Sequence, residues 1–477
     1  MPNTESKPQA PQGDSWPAGS GALLLAMIAL PLLTSGCKSY APRPLPDRPS
    51  LSATVPAFTK PTAPPQPPGT IVADPSPANN LDLAGAALLA IANNGALRAA
   101  RAAVGVAEAQ LTAARLFADP QLSVGADHPA TKAPFLVDGL SFGLGYDLGS
   151  LIVRGPAIDA ARAERERVRL GIIWQEWLTA SQARQLFVRT LALRDQADIK
   201  RLEVDLYDDQ YRRLSLALGE GGVSSVAAAT ALASLRDASR QLGDLQRQAE
   251  RAGRDLRLVL GLMPEASLAL RPARIDMLSP MDFATARRGY ADLPARRPDL
   301  LALAAGYRAQ EATVRRAIVA QFPAFSIGIR RARDTSGVDT VGFSATITLP
   351  VFNRNRGDIA ISEATRERLY QEYQARLDAA VSDADALVAD GQLLERQLGI
   401  ALGSLPELEA TAAAARAAMQ RGDIDGFTYV GLEITANAKR LEVAQLRRAL
   451  LEQRIVLQTL LAGDPPAATS TAPGISK

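Results

Sequence analysis

Two periodicities divide the chain. Over about 122–126, Leu122, Val124 and Ala126 alternate with Ser123 and Gly125. Over 141–146, Phe142, Leu144 and Tyr146 alternate with Ser141, Gly143 and Gly145. The same period of two returns later. Phe325, Ile327 and Ile329 alternate with Ser326, Gly328 and Arg330, and Phe343, Ala345, Ile347 and Leu349 with Ser344, Thr346 and Thr348. Each run predicts a strand with one apolar and one polar face. The strands are expected at about 121–126, 137–147, 324–330 and 342–350. Between them the pattern is helical. Helices are expected at about 82–118, 156–218, 223–260, 298–321, 358–420 and 426–461. The two longest are 63 residues each by this reading, or about 95 Å at 1.5 Å per residue.

The elements recur in the same order at an offset of about 202 residues: helix, two strands, very long helix, glycine turn, final helix. Pro120 corresponds to Pro323, Gly155 to Gly357 and Gly261 to Gly463. The short helices of each unit add up to roughly the length of its long one. Each repeat is therefore expected to set one long helix beside one composite helix. Alanine runs at Ala227–Ala229 and Ala412–Ala415 permit close approach, and Leu235, Leu242 and Leu245 keep a coiled-coil-like spacing. The turns GEGGVSS at 219–225 and RGDIDGF at 421–427 join long to final helices. Glycine suits the end of one helix, and Ser225 or Asp425 the cap of the next. The expected fold class is mainly α with a small β part, built as two structural repeats of long coiled-coil helices plus two strands each. Repeat 1 spans 82–261 and repeat 2 spans 298–463, joined by a connector at 262–297.

The apolar strand faces carry a further consequence. In a soluble sandwich they would meet a second layer. In a transmembrane barrel they would meet lipid, with Ser, Gly and Thr lining a wet lumen. Barrels begin at about eight strands. Four strands that cross a membrane must therefore be completed by other copies: two give 8 strands, three give 12.

The N-terminus adds an address. Residues 21–33, GALLLAMIALPLL, are too short to span a bilayer as an ordinary helix and fit the apolar core of a secretory signal. Thr34, Ser35, Gly36 and Cys37 follow, a string that resembles a bacterial lipoprotein cleavage site. The expected signal peptide is 1–36, and Cys37 is the expected lipidated N-terminus. Lys38 after the Cys favours, by resemblance to the lipoprotein sorting rule, the outer membrane. A plain signal peptide with an incidental Cys is the alternative. Residues 37–80 hold twelve prolines from Pro42 to Pro77 and read as a tether. Residues 464–477 read as a disordered tail.

Composition narrows the chemistry. Aromatics are 5%, the net charge is +3, and there is one Cys and one His, His128, in 477 residues. No intrachain disulfide and no ordinary Cys/His zinc site is possible. The charge does not suit a nucleic-acid binder. No HExxH or Walker-type loop is present. No catalytic residue, metal site or cofactor is expected.

With its two-fold repeat, ARRPDLLALAAGYRAQEA at 295–312, PVFNRNRGDIAISEA at 350–364 and the GDID turn, the chain resembles the TolC-like outer-membrane efflux proteins. The resemblance covers about 80–463. It implies a homotrimer with a 12-stranded transmembrane β-barrel on a periplasmic α-helical barrel, and an equatorial belt at 262–297. Loops at about 127–140 and 331–341 would be extracellular, near His128, Arg330, Arg331 and Arg333. It implies a passive export duct of a tripartite efflux system, working with a periplasmic adaptor and an inner-membrane pump. The adaptor would dock at a tip formed by Gly219, Gly221, Gly222, Ser225, Gly422, Asp423, Asp425 and Gly426. Family members often carry acids just after the tip glycine. The corresponding places here hold Thr428 and Gly431, which leaves Asp423 and Asp425 as candidates for a gate ring. Other readings are the outlet of a type I protein secretion system and a pore-less, lipid-anchored periplasmic coiled-coil scaffold. The strand patterns argue against the scaffold.

Overall fold

The computed structural model describes residues 40–56, 81–131, 133, 135–271 and 283–461. The signal peptide, Cys37, most of the Pro-rich stretch and the C-terminal tail lie outside the described residues. Residues 40–50 belong to a separate unit and are exposed.

In the main unit the order is α1 (Leu83–Asn93), α2 (Gly95–Arg115), β1 (Gln121–Asp127), β2 (Gly139–Asp147), α3 (Gly149–Gly219) and α4 (Ser225–Val259). There follow α5 (Phe283–Arg288), a 3-10 turn (Gly289–Asp292), α6 (Leu293–Arg296) and α7 (Pro298–Val319). β3 (Ala324–Arg333), β4 (Asp339–Thr348), α8 (Arg356–Arg421) and α9 (Gly426–Leu460) complete it. α3 and α8 run for 71 and 66 residues, about 100 Å each. α3 packs against α1, α2 and α4 on one side and α7 and α9 on another, and α7 and α9 also pack on α8. The columns thus run α1/α2/α4, then α3, then α7/α9, then α8.

Two helix boundaries differ from the sequence reading, for local reasons. The expected helix 82–118 is broken by 49° between α1 and α2. Asn94 sits at the break, and its Oδ1 accepts the Leu97 N–H at 3.1 Å, so a new helix is capped there. Its Nδ2 donates to Val259 O at 3.1 Å, which ties the break to the end of α4. The long helix expected from 156 starts at Gly149, and Pro156 lies inside it. Near the start of this helix proline removes its own N–H bond and crowds the carbonyl of Ile152, which lies in the first turn. The turn before it is held by Asp147, whose Oδ1 accepts the Gly149 N–H at 2.9 Å, and by Arg154, which lies 4.2 Å over the Phe117 ring.

Small residues fill the column contacts: Ala180, Ala183, Ala231, Ala238, Ala249 and Ala252 are all buried. They let helix axes come within about 8–10 Å. The larger core lies halfway along the long helices. Phe187, Leu256, Leu260, Leu262 and Ile455 form one cluster with Leu81, Leu83 and Leu89. Phe283, Ala384, Val388 and Leu457 form another. Here residues 51–56 and the described parts of 262–297 pack on the columns. Ser52 N donates to Gly261 O at 3.0 Å, and Met263 N donates to Ser52 O at 2.8 Å. Gly261 has φ +68°, and a Cβ there would lie 2.5 Å from Asn93 O, so only glycine fits this crossing.

A buried ion cluster is built from the RRPD string. Arg297 is 1% exposed. Its Nε and Nη2 donate to the two Asp299 oxygens at 2.9 and 2.7 Å, and its guanidinium lies 4.9 Å from the Trp174 ring centre. Arg376 of α8 donates to Asp299 Oδ2 at 2.8 Å. Pro298 opens α7 with a φ already suited to helix, and Asp299 in its first turn favours the helix dipole.

Candidate functional site

The four strands form one antiparallel sheet in the order β1-β2-β3-β4. Its register sorts the side chains. Leu122 stands opposite Leu144 and Val124 opposite Phe142. Leu144 stands opposite Ile329 and Tyr146 opposite Ile327. Ile329 stands opposite Phe343 and Phe325 opposite Ile347. All share one face. The other face carries Gln121, Ser123, Gly125, Asp127, Gly139, Ser141, Gly143, Gly145, Asp147, Ala324, Ser326, Gly328, Arg330, Ala332, Thr340, Gly342, Ser344, Thr346 and Thr348.

Among the described residues, no second layer covers the apolar face. Leu122 is 73%, Val341 83% and Phe343 70% exposed. β1 and β4 each leave an unpaired edge, which makes the sheet incomplete as a free-standing object. At the junction with the helices, Phe117, Phe322 and Phe352 are also exposed.

The strands differ in length from the sequence reading. β3 and β4 pair as far as Arg333 and Asp339, into the expected loop 331–341. The cause is a tight turn at 334–338. Asp334 Oδ1 accepts the N–H groups of Ser336 and Val338 at 2.9 and 3.0 Å, and Gly337 adopts φ +83°. β2 begins at Gly139 rather than 137. Val137 N is taken instead by Thr335 O at 3.0 Å. His128 Nδ1 lies 2.6 Å from Asp138 Oδ1 beside this turn, both exposed.

At the opposite end of the long helices, the two glycine turns are built alike. Gly221 and Gly422 both have positive φ. Gly222 N donates to Ala217 O at 2.8 Å and Asp423 N to Ala418 O at 2.9 Å, each closing a Schellman turn. Gly219 is the last residue of α3, and Gly426 is the first of α9. Ser225 is not the cap of α4. It is the first helical residue, and Ser224 Oγ accepts the Ala227 N–H at 3.3 Å. Asp425 does cap α9, accepting the Thr428 N–H at 2.7 Å. The two caps lie 201 residues apart, as do Gly221 and Gly422. That spacing was the signal that singles out Ser224.

Charge at this tip is partly spent. Asp423 pairs with Arg421 at 2.8 Å. Glu433 is buried and paired with Arg416, bracing α8 on α9. Asp425 stays a carboxylate: the backbone N–H of Thr428, first, and its hydroxyl hold its pKa below the usual carboxylate value. A cavity of about 360 Å³ opens beside it between the ends of α3 and α9, lined by Leu206, Leu214, Ala217, Met419, Phe427 and Val430.

Long antiparallel helices topped by a partial antiparallel sheet, bare on its apolar face, are the fold of the TolC-like outer-membrane channels. Solved structures of such channels share it. The chain is similar to CusC, described for its transmembrane channel formation, with TM-score 0.65 and 20% identity, covering 85% of this chain and 99% of that one. It is likewise similar to the CmeC outer membrane channel of Campylobacter jejuni, with TM-score 0.66 and 15% identity, covering 88% and 96%. Residues 290–463, the second repeat and the end of the connector before it, match the outer membrane efflux protein family. Among curated proteins, the pyoverdine export outer membrane protein OpmQ of Pseudomonas aeruginosa is 26% identical over 285 residues, 58% of this chain and 60% of that one. The Pseudomonas putida protein of the same name is 26% identical over 249 residues, 50% and 51%. The match thus spans just over half the length of these relatives.

Proposed function

We propose that this chain is the outer-membrane channel component of a tripartite efflux system, a passive duct that moves small molecules or ions from the periplasm to the exterior. One observation carries the reading. A four-stranded sheet with two open edges, one bare apolar face and one Gly/Ser/Thr face stands on helices about 100 Å long. Three copies, β1 of one against β4 of the next, close 12 strands with the apolar faces on lipid and the polar faces on water. The helices then continue the passage through the periplasm, and the Phe117, Phe322 and Phe352 level lies at the periplasmic interface of the outer membrane. Cys37 anchors the chain to outer-membrane lipid.

The tip would be where a periplasmic adaptor docks, at Gly219, Gly221, Gly222, Ser224, Ser225, Gly422 and Gly426, and an inner-membrane pump supplies the energy. Asp423 and Asp425 would form the gate ring. Asp425 contributes the freer charge, since Arg421 offsets Asp423. The duct itself makes and breaks no bonds. The relatives named for pyoverdine export favour small-molecule cargo over a secreted protein. Purified, detergent-solubilised protein, sized and placed in a planar lipid bilayer, tests this. Discrete channels from a species of three chains are the expected result. A monomer, or a trimer that never conducts even with the tip acids replaced, would return the molecule to the scaffold reading.

A further inference from the structure

The polar face of the sheet carries one cation, and its surroundings leave that charge unanswered. Arg330 stands between Gly143 of β2 and Gly342 of β4. The next residues on that face along those strands are Ser141, Gly145, Thr340 and Ser344, none of them charged. The Arg330 side chain makes no hydrogen bond or ion pair among the described residues. Two acids share its face, Asp127 and Asp147. In register, Asp127 is four residues beyond Ser123, the β1 residue level with Arg330, and Asp147 four beyond Gly143. At about 3.4 Å per residue each is about 13 Å away along the strand. That exceeds the Debye length of about 10 Å at 0.1 M salt. Asp147 is moreover engaged with the Gly149 N–H. Arg331 and Arg333 do not compete inside, because the register puts them on the opposite, apolar face.

We propose that Arg330 is a specificity-determining residue of the duct, which biases its own level of the barrel toward anions and favours cargo charged through carboxylate or phosphate groups. The proposal rests on the trimeric duct read above, where the polar face lines the lumen. Three copies then set three guanidinium groups around one level of the passage, with only Gly, Ala, Ser and Thr beside them. For charges about 10 Å from the axis in water at about 0.1 M salt, the summed screened potential enriches a monovalent anion about twofold and depletes a cation about twofold. The anion-to-cation ratio gains about fivefold. At about 1 M salt the Debye length falls to about 3 Å and the gain disappears. Arginine keeps this charge at every physiological pH.

The test is the zero-current potential of single trimers in planar bilayers under a potassium chloride gradient. Wild type is compared with Arg330→Gln, Arg330→Glu and Arg330→Lys. Tip charge is common to all four, so differences between them report position 330. At about 0.1 M the Gln variant is expected to lose about fivefold in anion preference, and the Glu variant to go about fivefold further toward cations. The Lys variant keeps the wild-type ratio, and all four converge at about 1 M. Channels whose ion preference is the same in all four at low salt would overturn the proposal while leaving the duct intact. Absence of channels from wild type and every variant would overturn the duct, and this inference with it.

Discussion

Removing the carboxylate of Asp299 probes the buried ion cluster most directly. Asp299→Ala strips Arg297 of both its acceptors, at 2.9 and 2.7 Å, and strips Arg376 of its 2.8 Å acceptor. Arg376 is 40% exposed at its side chain and can turn to water, but Arg297 is 1% exposed and cannot. The Trp174 ring is left as its one partner, since its Nη1 has none. Breaking a buried pair by deleting one member costs about 3–5 kcal/mol. The escape of Arg376 argues for the lower end, about 3 kcal/mol. If the unfolding barrier carries all of it, that is about a 150-fold faster loss of structure. The assay is the helical circular-dichroism signal of the detergent-solubilised protein, followed in time at fixed temperature and neutral pH. Replacing both members, Arg297→Met with Asp299→Leu, should lose much less than Asp299→Ala, because no charge is stranded. The pH dependence has a definite sign. Burial raises the Asp299 pKa, but the hydrogen bonds and charges of Arg297 and Arg376 outweigh it and leave it lowered. Its contribution is therefore present above the unfolded carboxylate pKa of about 3.9 and fades as pH falls below it. An Asp299→Ala protein within about 1 kcal/mol of wild type, or one no worse than the double replacement, would refute this account.

Other substitutions test other parts. Gly261→Val should destabilise the belt by more than about 3 kcal/mol, seen as a lower melting temperature, because φ +68° and the 2.5 Å approach to Asn93 O both exclude a side chain. Ser224→Ala should weaken its cap by about 1 kcal/mol and Ser225→Ala by much less, read as protease sensitivity of the 219–225 turn; equal effects would contradict the assignment of the cap. Phe343→Lys places a charge on the bare face at a cost of up to about 2–4 kcal/mol at mid-membrane, and should deplete the protein from outer-membrane fractions. Cys37→Ser should abolish incorporation of labelled palmitate, and retained label would sink the lipid anchor. Asp425→Ala conductance equal to wild type at all salt levels would remove Asp425 from the gate.

Much of this protein is legible in local pattern. Period-two alternation placed the strands and both of their faces, and Gly221, Gly422 and the acid at Asp425 announced the tip turns. Such features depend on near neighbours, for which a few residues suffice. Helix limits were less legible. Asn94 breaks a helix because Val259, 165 residues away, takes its amide, and Pro156 is tolerated inside α3 because a turn formed ahead of it. The strings around Arg297 and Arg330 were visible, but not their parts. Arg297 acquires a role only when Trp174 and Arg376 arrive from other helices, and Arg330 only when the sheet register puts glycine on both its flanks. Period and propensity are written in adjacent residues. Which charge is matched, buried or left bare depends on chain segments far apart in sequence, and tertiary structure alone brings those together.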